Sequence, residues 1–279
     1  MPTTRSSRTF LWHCAAALAI IVLPMMTAGE GRATVRDRHG LDLTYIITIA
    51  GVHIGSISVD GTFTDGGYAI ALSGSTGGIT RWMADATAWM AVNGTIRGAV
   101  ASPARFEIGI QEGGVGAEVQ MRLTDRDVMD LHVVPGLQAS LDIVPLTIDH
   151  VRDVVDPMSA LFVPFGDGGS ITGERACNRT LTIFDGWQRY DISMFYRGTE
   201  TVFGARASYA GPAFACRAEY LPIAGHSLTR SAVLFMSANS RLEAQLIPIA
   251  ELGIAIPFQL LIGTEIGDLV IRLDRLEVD

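Results

Sequence analysis

The residues of this 279-residue chain able to do covalent, metal or acid–base chemistry are three cysteines, six histidines and 29 acids. Cys177 and Cys216 have no CxxC spacing and no histidine at ligand spacing, which argues against a redox or zinc site. Of the histidines downstream of the N-terminal segment, His39, His53, His132, His150 and His226, none pairs at ligand spacing. His150 follows Asp149 and His226 ends PIAGH, so either could serve a hydrolase as a base. The simpler expectation for each is a ring bonded to backbone near a turn. GxSxG, HExxH, P-loop and SxxK patterns are absent, and GSTGG at 74–78 lacks the lysine that phosphate binding needs. Asp125, Asp127 and Asp130 read as a solvated turn; Asp149, Asp153 and Asp156 read as helix-start chemistry rather than a glycosidase pair. No cofactor or metal motif is present, and an enzyme is the least supported reading.

The remaining candidate is an aromatic run, CNRTLTIFDGWQRYDISMFY at 177–196. Leu181 and Ile183 alternate with Thr180 and Thr182, Asp185-Gly186 supplies a turn, and Tyr190, Ile192 and Met194 resume the alternation, so the run predicts a β-hairpin. Arg189 and Asp191 fall on the opposite parity and read as a solvated pair. Trp187, Arg189 and Tyr190, with Tyr209, Arg206 and His226, are the residues expected near a ligand pocket, if there is one.

The elements that would hold these residues begin with an export signal. MPTTRSSR is basic, TFLWHCAAALAIIVLPMM is a short apolar stretch ended by Pro24, and small residues follow. That is a signal-peptide layout, over residues 1–33 with cleavage after Ala33 or, less well placed, Ala28; an uncleaved anchor is the rival. Cys14 lacks the small residues before it that a lipid-modified cysteine requires. Removal of residues 1–33 takes away Arg5, Arg8, Arg32 and Glu30 and moves the net charge from −8 to −10. So acidic a chain repels phosphate backbones, which excludes nucleic acid as a partner class. Export also places the remaining two cysteines in an oxidising compartment, where an even pair reads as a disulfide. The closed loop of about 40 residues would contribute roughly 4 kcal/mol on the chain-entropy model.

Turn signals recur through the rest: Asp65-Gly66-Gly67, Asn93-Gly94, Gly113-Gly114, Pro135-Gly136, Asp185-Gly186, Arg197-Gly198, Gly211-Pro212, Asn239-Ser240 and Gly267-Asp268. Between them lie alternating runs such as Leu43, Tyr45, Ile47 and Ile49. Residues 34–279 are therefore expected to form one mainly β domain: a single large antiparallel, strongly curved sheet or half-open barrel wrapped around one short buried helix. A split near residue 140 is the alternative. Glycines at 55, 61, 66 and 67 and in SGSTGG at 73–78 suit bent strands. The helix is expected in VVDPMSALFVP, with Asp156 as N-cap, Pro157 in the first turn and Pro164 as the stop. GGITRWMADATAWM carries Trp82, Met83, Ala86 and Met90 at helical spacing, although its far end reads equally as a strand.

The segments VPLTIDHVRDVVDPMSALF, CNRTLTIFDGWQRYDISMFY, YAGPAFACRAEYLPIAGH and IPFQLLIGTEIGDLVIRL resemble the successive blocks of the proteobacterial domain of unknown function 3108, from about Leu43 to Leu276. The resemblance implies an exported, β-rich envelope protein with a cystine at Cys177 and Cys216, and no reaction. Three functions follow in order of support. The first is a periplasmic module binding a lipid, glycan or peptide and supporting envelope integrity. The second is a structural protein pairing a sheet edge with an envelope protein. The third is an envelope hydrolase using His150 or His226. After processing no membrane span is expected.

Overall fold

The computed structural model describes residues 38–77, 86–137, 141–166, 171–205 and 209–279. The segment expected to be an export signal, Trp82, Met83 and Arg206 lie outside the described residues. Fourteen strands make one antiparallel sheet: β1 (Arg38–Ile49), β2 (Val52–Thr64), β3 (Gly67–Thr76), β4 (Ala86–Arg97), β5 (Val100–Glu112), β6 (Val115–Thr124), β7 (Asp127–Val134), β8 (Val163–Pro164), β9 (Arg179–Phe184), β10 (Arg189–Phe203), β11 (Ala210–Ala224), β12 (Leu242–Ile249), β13 (Ile254–Thr264) and β14 (Gly267–Val278). The spatial order is β7-β6-β5-β4-β3-β2-β1-β14-β13-β12-β11-β10-β9, with the short β8 added on β13. Strands on both sides of residue 140 thus share one sheet, joined where β1 pairs with β14. This is the mainly β, strongly curved architecture the alternation predicts. It is not closed into a barrel, because β7 and β9 do not pair with each other.

One end of the gap between those edges is stitched by the chain between β7 and β8. The Val154 N–H donates to the Arg126 carbonyl at 2.9 Å, and the Val155 N–H to the Thr182 carbonyl at 2.9 Å. Arg126 adds an ion pair to Asp153 at 2.9 Å and a hydrogen bond from its guanidinium to Thr182 Oγ1 at 3.2 Å. The segment then turns inward and plugs the curve. Asp156 does cap it: Oδ1 accepts the Met158 and Ser159 N–H groups, each at 2.9 Å. What it caps is a single 3₁₀ turn, Ser159–Leu161, and not the longer helix expected up to Pro164. The reason lies in the partner: Val163 and Pro164 are drawn into β8 against Ala255 and Ile254, so the run turns extended before a second helical turn forms.

Two helices went unforeseen, α1 (Gly173–Cys177), capped by Thr172, and α2 (Ser231–Ala238). From Ala86 onward the GGITRWMADATAWM segment is strand β4, so Ala86 and Met90 share an inward face rather than a helix face. Asn93-Gly94 and Arg197-Gly198 are not turns. Register shifts between Asn93 and Gly94 and between Tyr196 and Gly198 mark them as bulges inside long strands, the device that lets a sheet curl. Gly211-Pro212 likewise sits within β11.

The interior holds two apolar clusters. One joins the inner faces of β1–β6 to Val154, Met158 and Phe162 of the plug. The other joins β9–β13 to α1 and contains both cysteines.

Candidate functional site

The inner faces of β3 and β4 taper along their length. On β3 the inward positions run Tyr68, Ile70, Leu72, Gly74, and on β4 Val92, Met90, Ala88, Ala86. At the end with large side chains most of the space is filled. Phe162 packs edge-on against Phe63 and Tyr68, with ring centroids 5.8 and 4.9 Å away, and Tyr68 shares a 2.7 Å hydrogen bond with Ser159. At the end with small side chains no described residue takes the place of the missing volume. The result is a groove of about 630 Å³, walled by residues such as Ile57, Leu72, Met90, Leu181, Ile192 and Leu260. A second cavity of about 100 Å³ reaches toward the plug and shares Ile57, Leu72, Leu161 and Leu260 with it. Leu161, at the tip of the 3₁₀ turn, is 37% exposed although it lies on this wall, so the groove is open to solvent.

Among the described residues, none of the inward-facing side chains that form the groove wall is charged. Glu243 touches the wall, but it sits on the outward parity of β12, exposed between buried Leu242 and Ala244. The inward hydroxyls are those of Thr76 and Tyr190; Ser75 and Thr87, like Glu243, touch the wall from outward positions. Burial, followed by the nearby charge of Asp185, raises the pKa of Tyr190 well above the ordinary phenol range, so its ring stays neutral. Below the groove, Asp156 is fully buried; burial outweighs its hydrogen bonds and pushes its pKa up to about 6, and its Oδ2 has no hydrogen-bond partner.

The hairpin forms as its residues predict. Asp185 Oδ1 accepts the N–H groups of Trp187 and Gln188 at 2.8 and 2.7 Å, and Gly186 takes φ 99°. A Cβ at Gly186 would lie 2.5 Å from Val119, so only glycine lets this turn rest on β6 across the open side of the sheet. Leu181, Ile183, Tyr190, Ile192 and Met194 then all face the groove. Of the five described residues expected near a pocket, Arg206 lying outside them, Tyr190 alone lines it. Trp187 packs against the core beside β1–β6 and donates its indole N–H to the Pro135 carbonyl at 3.4 Å, tying the hairpin to the end of β7. Tyr209 donates to the Pro212 carbonyl at 2.8 Å and leans on Phe258. Arg189 is not in a solvated pair. Its side chain is 10% exposed and meets Asp191 at 2.6 Å, because its register neighbours Phe184 and Ala224 are fully buried and the outer face is covered there.

His226 is buried with Nδ1 unpartnered, and His150 Nδ1 accepts the Thr147 N–H at 3.1 Å, closing a turn. Among the described residues no group of three His, Cys, Asp or Glu side chains converges as metal ligands would. Cys177 and Cys216 form a disulfide with 5.5 Å between Cα atoms. Cys177 ends α1 instead of lying on the hairpin strand, and the bond ties that helix to β11 within the second apolar cluster. Among the described residues no helix is long and apolar enough to cross a membrane.

A crystal structure of a beta-barrel-like protein of Domain of Unknown Function DUF1849 from Brucella abortus is similar over 86% of this chain and 98% of its own, at 10% identity and a TM-score of 0.49. No curated protein matches the chain. The model of the family described as protein of unknown function (DUF3108) matches residues 44–274, and the chain belongs to that family.

Proposed function

We propose that the protein is exported to the periplasm and holds an apolar ligand, an acyl chain before a glycan, in its groove in support of the cell envelope. The observation that carries this reading is the tapered interior: inward side chains shrink along β3 and β4 until about 630 Å³ stands open, with no charge on the inward-facing wall residues among those described. That volume is of the size that holds small ligands. Protein interiors are otherwise packed to crystal density, so a wall left unfilled calls for an occupant. A glycan would want aromatic platforms and hydrogen-bonding side chains, and the wall offers one ring, Tyr190.

The test is native mass spectrometry of protein extracted mildly from its own cells, paired with binding of the neutral fluorophore N-phenyl-1-naphthylamine. A co-purifying lipid mass and saturable fluorescence that Ala88→Trp abolishes are expected, because Ala88 lines the groove and an indole there fills it. Absence of both signals in the unmodified protein sinks the reading. A structural role remains the second reading on one observation: among the described residues β7 ends the sheet with no strand beyond it, whereas β9 is partly covered by the bridge from Val155 to Ile183. In-cell crosslinking from residues 127–134 that captures one reproducible envelope protein would favour it.

A further inference from the structure

One cation stands on the groove side of the sheet. Arg179 begins β9, two residues before Leu181 and four before Ile183, and so shares their inward parity. The register runs Arg179 opposite Met194, Met194 opposite Ala218, Ala218 opposite Leu242 and Leu242 opposite Ile262. Residues directly opposite in antiparallel strands project from the same face. Met194, Ala218, Leu242 and Ile262 all line the groove, so Arg179 ends a row of groove-wall residues, at the unpaired edge of the sheet.

This arginine is half-buried and, among the described residues, its guanidinium enters no ion pair or hydrogen bond. Its environment is unfavourable twice over, through loss of water first and then through the charge of Arg126, and both lower its pKa. Arg126 itself is matched by Asp153. Most other arginines near the sheet have a carboxylate, as in Arg105–Glu107, Arg217–Glu219 and Arg275–Glu277. A partly desolvated guanidinium without a counter-ion is costly, and an anion arriving with the ligand would remove that cost.

Resting on the groove reading above, we infer that Arg179 receives the anionic head, a carboxylate or a phosphate, of a single-chain amphiphile whose tail lies along the row from Met194 toward Ile262. The inner cavity of about 100 Å³ adds a limit on the tail. It is smaller than the roughly 150 Å³ that accommodates a benzene ring, so it admits an unbranched chain end and no ring.

The experiment is displacement of N-phenyl-1-naphthylamine from the purified protein at about pH 8 by decanoate, decyl phosphate and 1-decanol, which share one tail. At least one anionic amphiphile is expected to compete about tenfold more strongly than decanol, the worth of a charge-assisted hydrogen bond, and which of the two does so identifies the head. Arg179→Gln should erase that advantage while leaving decanol unchanged, which also shows the variant folded; Arg179→Lys should keep part of it. Equal competition by all three in the unmodified protein, or an advantage that survives Arg179→Gln, overturns the assignment while leaving the apolar groove standing. If the fluorophore itself does not bind, the groove reading fails and this one with it.

Discussion

The filled and hollow ends of the interior are made from the same strands. Tyr68 and Leu72 are four residues apart on β3, yet one is locked against Phe162 and Ser159 and the other borders open space. Phe162 and Leu161 are adjacent in the plug, and they are 3% and 37% exposed. The contrast shows that the hollow is not a failure of folding. The plug enters as far as Asp156 and its two cap bonds carry it, and β8 then pulls the chain back to the sheet. Stability belongs to one end and available volume to the other.

The sharpest way to break that division is to truncate both neighbours. Phe162→Ala should cost about 3–5 kcal/mol, the range for a buried aromatic lost from a packed core, whereas Leu161→Ala should cost under about 1 kcal/mol and enlarge the groove. Urea unfolding of the two variants measures this, and equal losses would mean that the groove closes in solution. Next in size is the clasp behind the groove. Replacing Cys177 and Cys216 by alanine should remove about 2–4 kcal/mol. The same unfolding curves report it, and thiol alkylation of untreated protein should find neither sulfur free.

The third prediction concerns the base of the plug. The carboxyl of Asp156 has a folded pKa of about 6 against 3.8 when free, so the folded state holds the proton more tightly. With respect to this group, stability is greatest below about pH 4 and falls as pH rises through 6, by about 2–3 kcal/mol. Asp156→Asn retains the cap acceptor and should flatten the unfolding midpoint between about pH 4 and 6. A slope unchanged in that variant would place the proton elsewhere.

Much of this was legible residue by residue. The hairpin at Asp185-Gly186, the cap at Asp156 and the pairing of two cysteines follow from local rules, and each is present. The taper was visible too, in SGSTGG at 73–78 and in Ala86 and Ala88, but the glycines read as curvature and Ala86 as part of a helical spacing, when both also mean missing volume. Asn93-Gly94 and Arg197-Gly198 misled because a glycine with a polar or charged neighbour serves a bulge as well as a turn. Arg179 drew no notice, since an arginine at a strand start is ordinary until its row of neighbours is known.

From the chain alone came the strand periodicity, the acid surplus and the two sulfurs available to join, because these depend on side chains within a few residues of one another or on composition. Tertiary structure decided which glycines bend strands and which end them, how far the plug runs, and which row of residues Arg179 joins. Those outcomes depend on what the partner strand places opposite, and a sheet of this size brings residues together that lie more than 200 positions apart, as Tyr45 and Pro257 do in their 2.8 Å hydrogen bond.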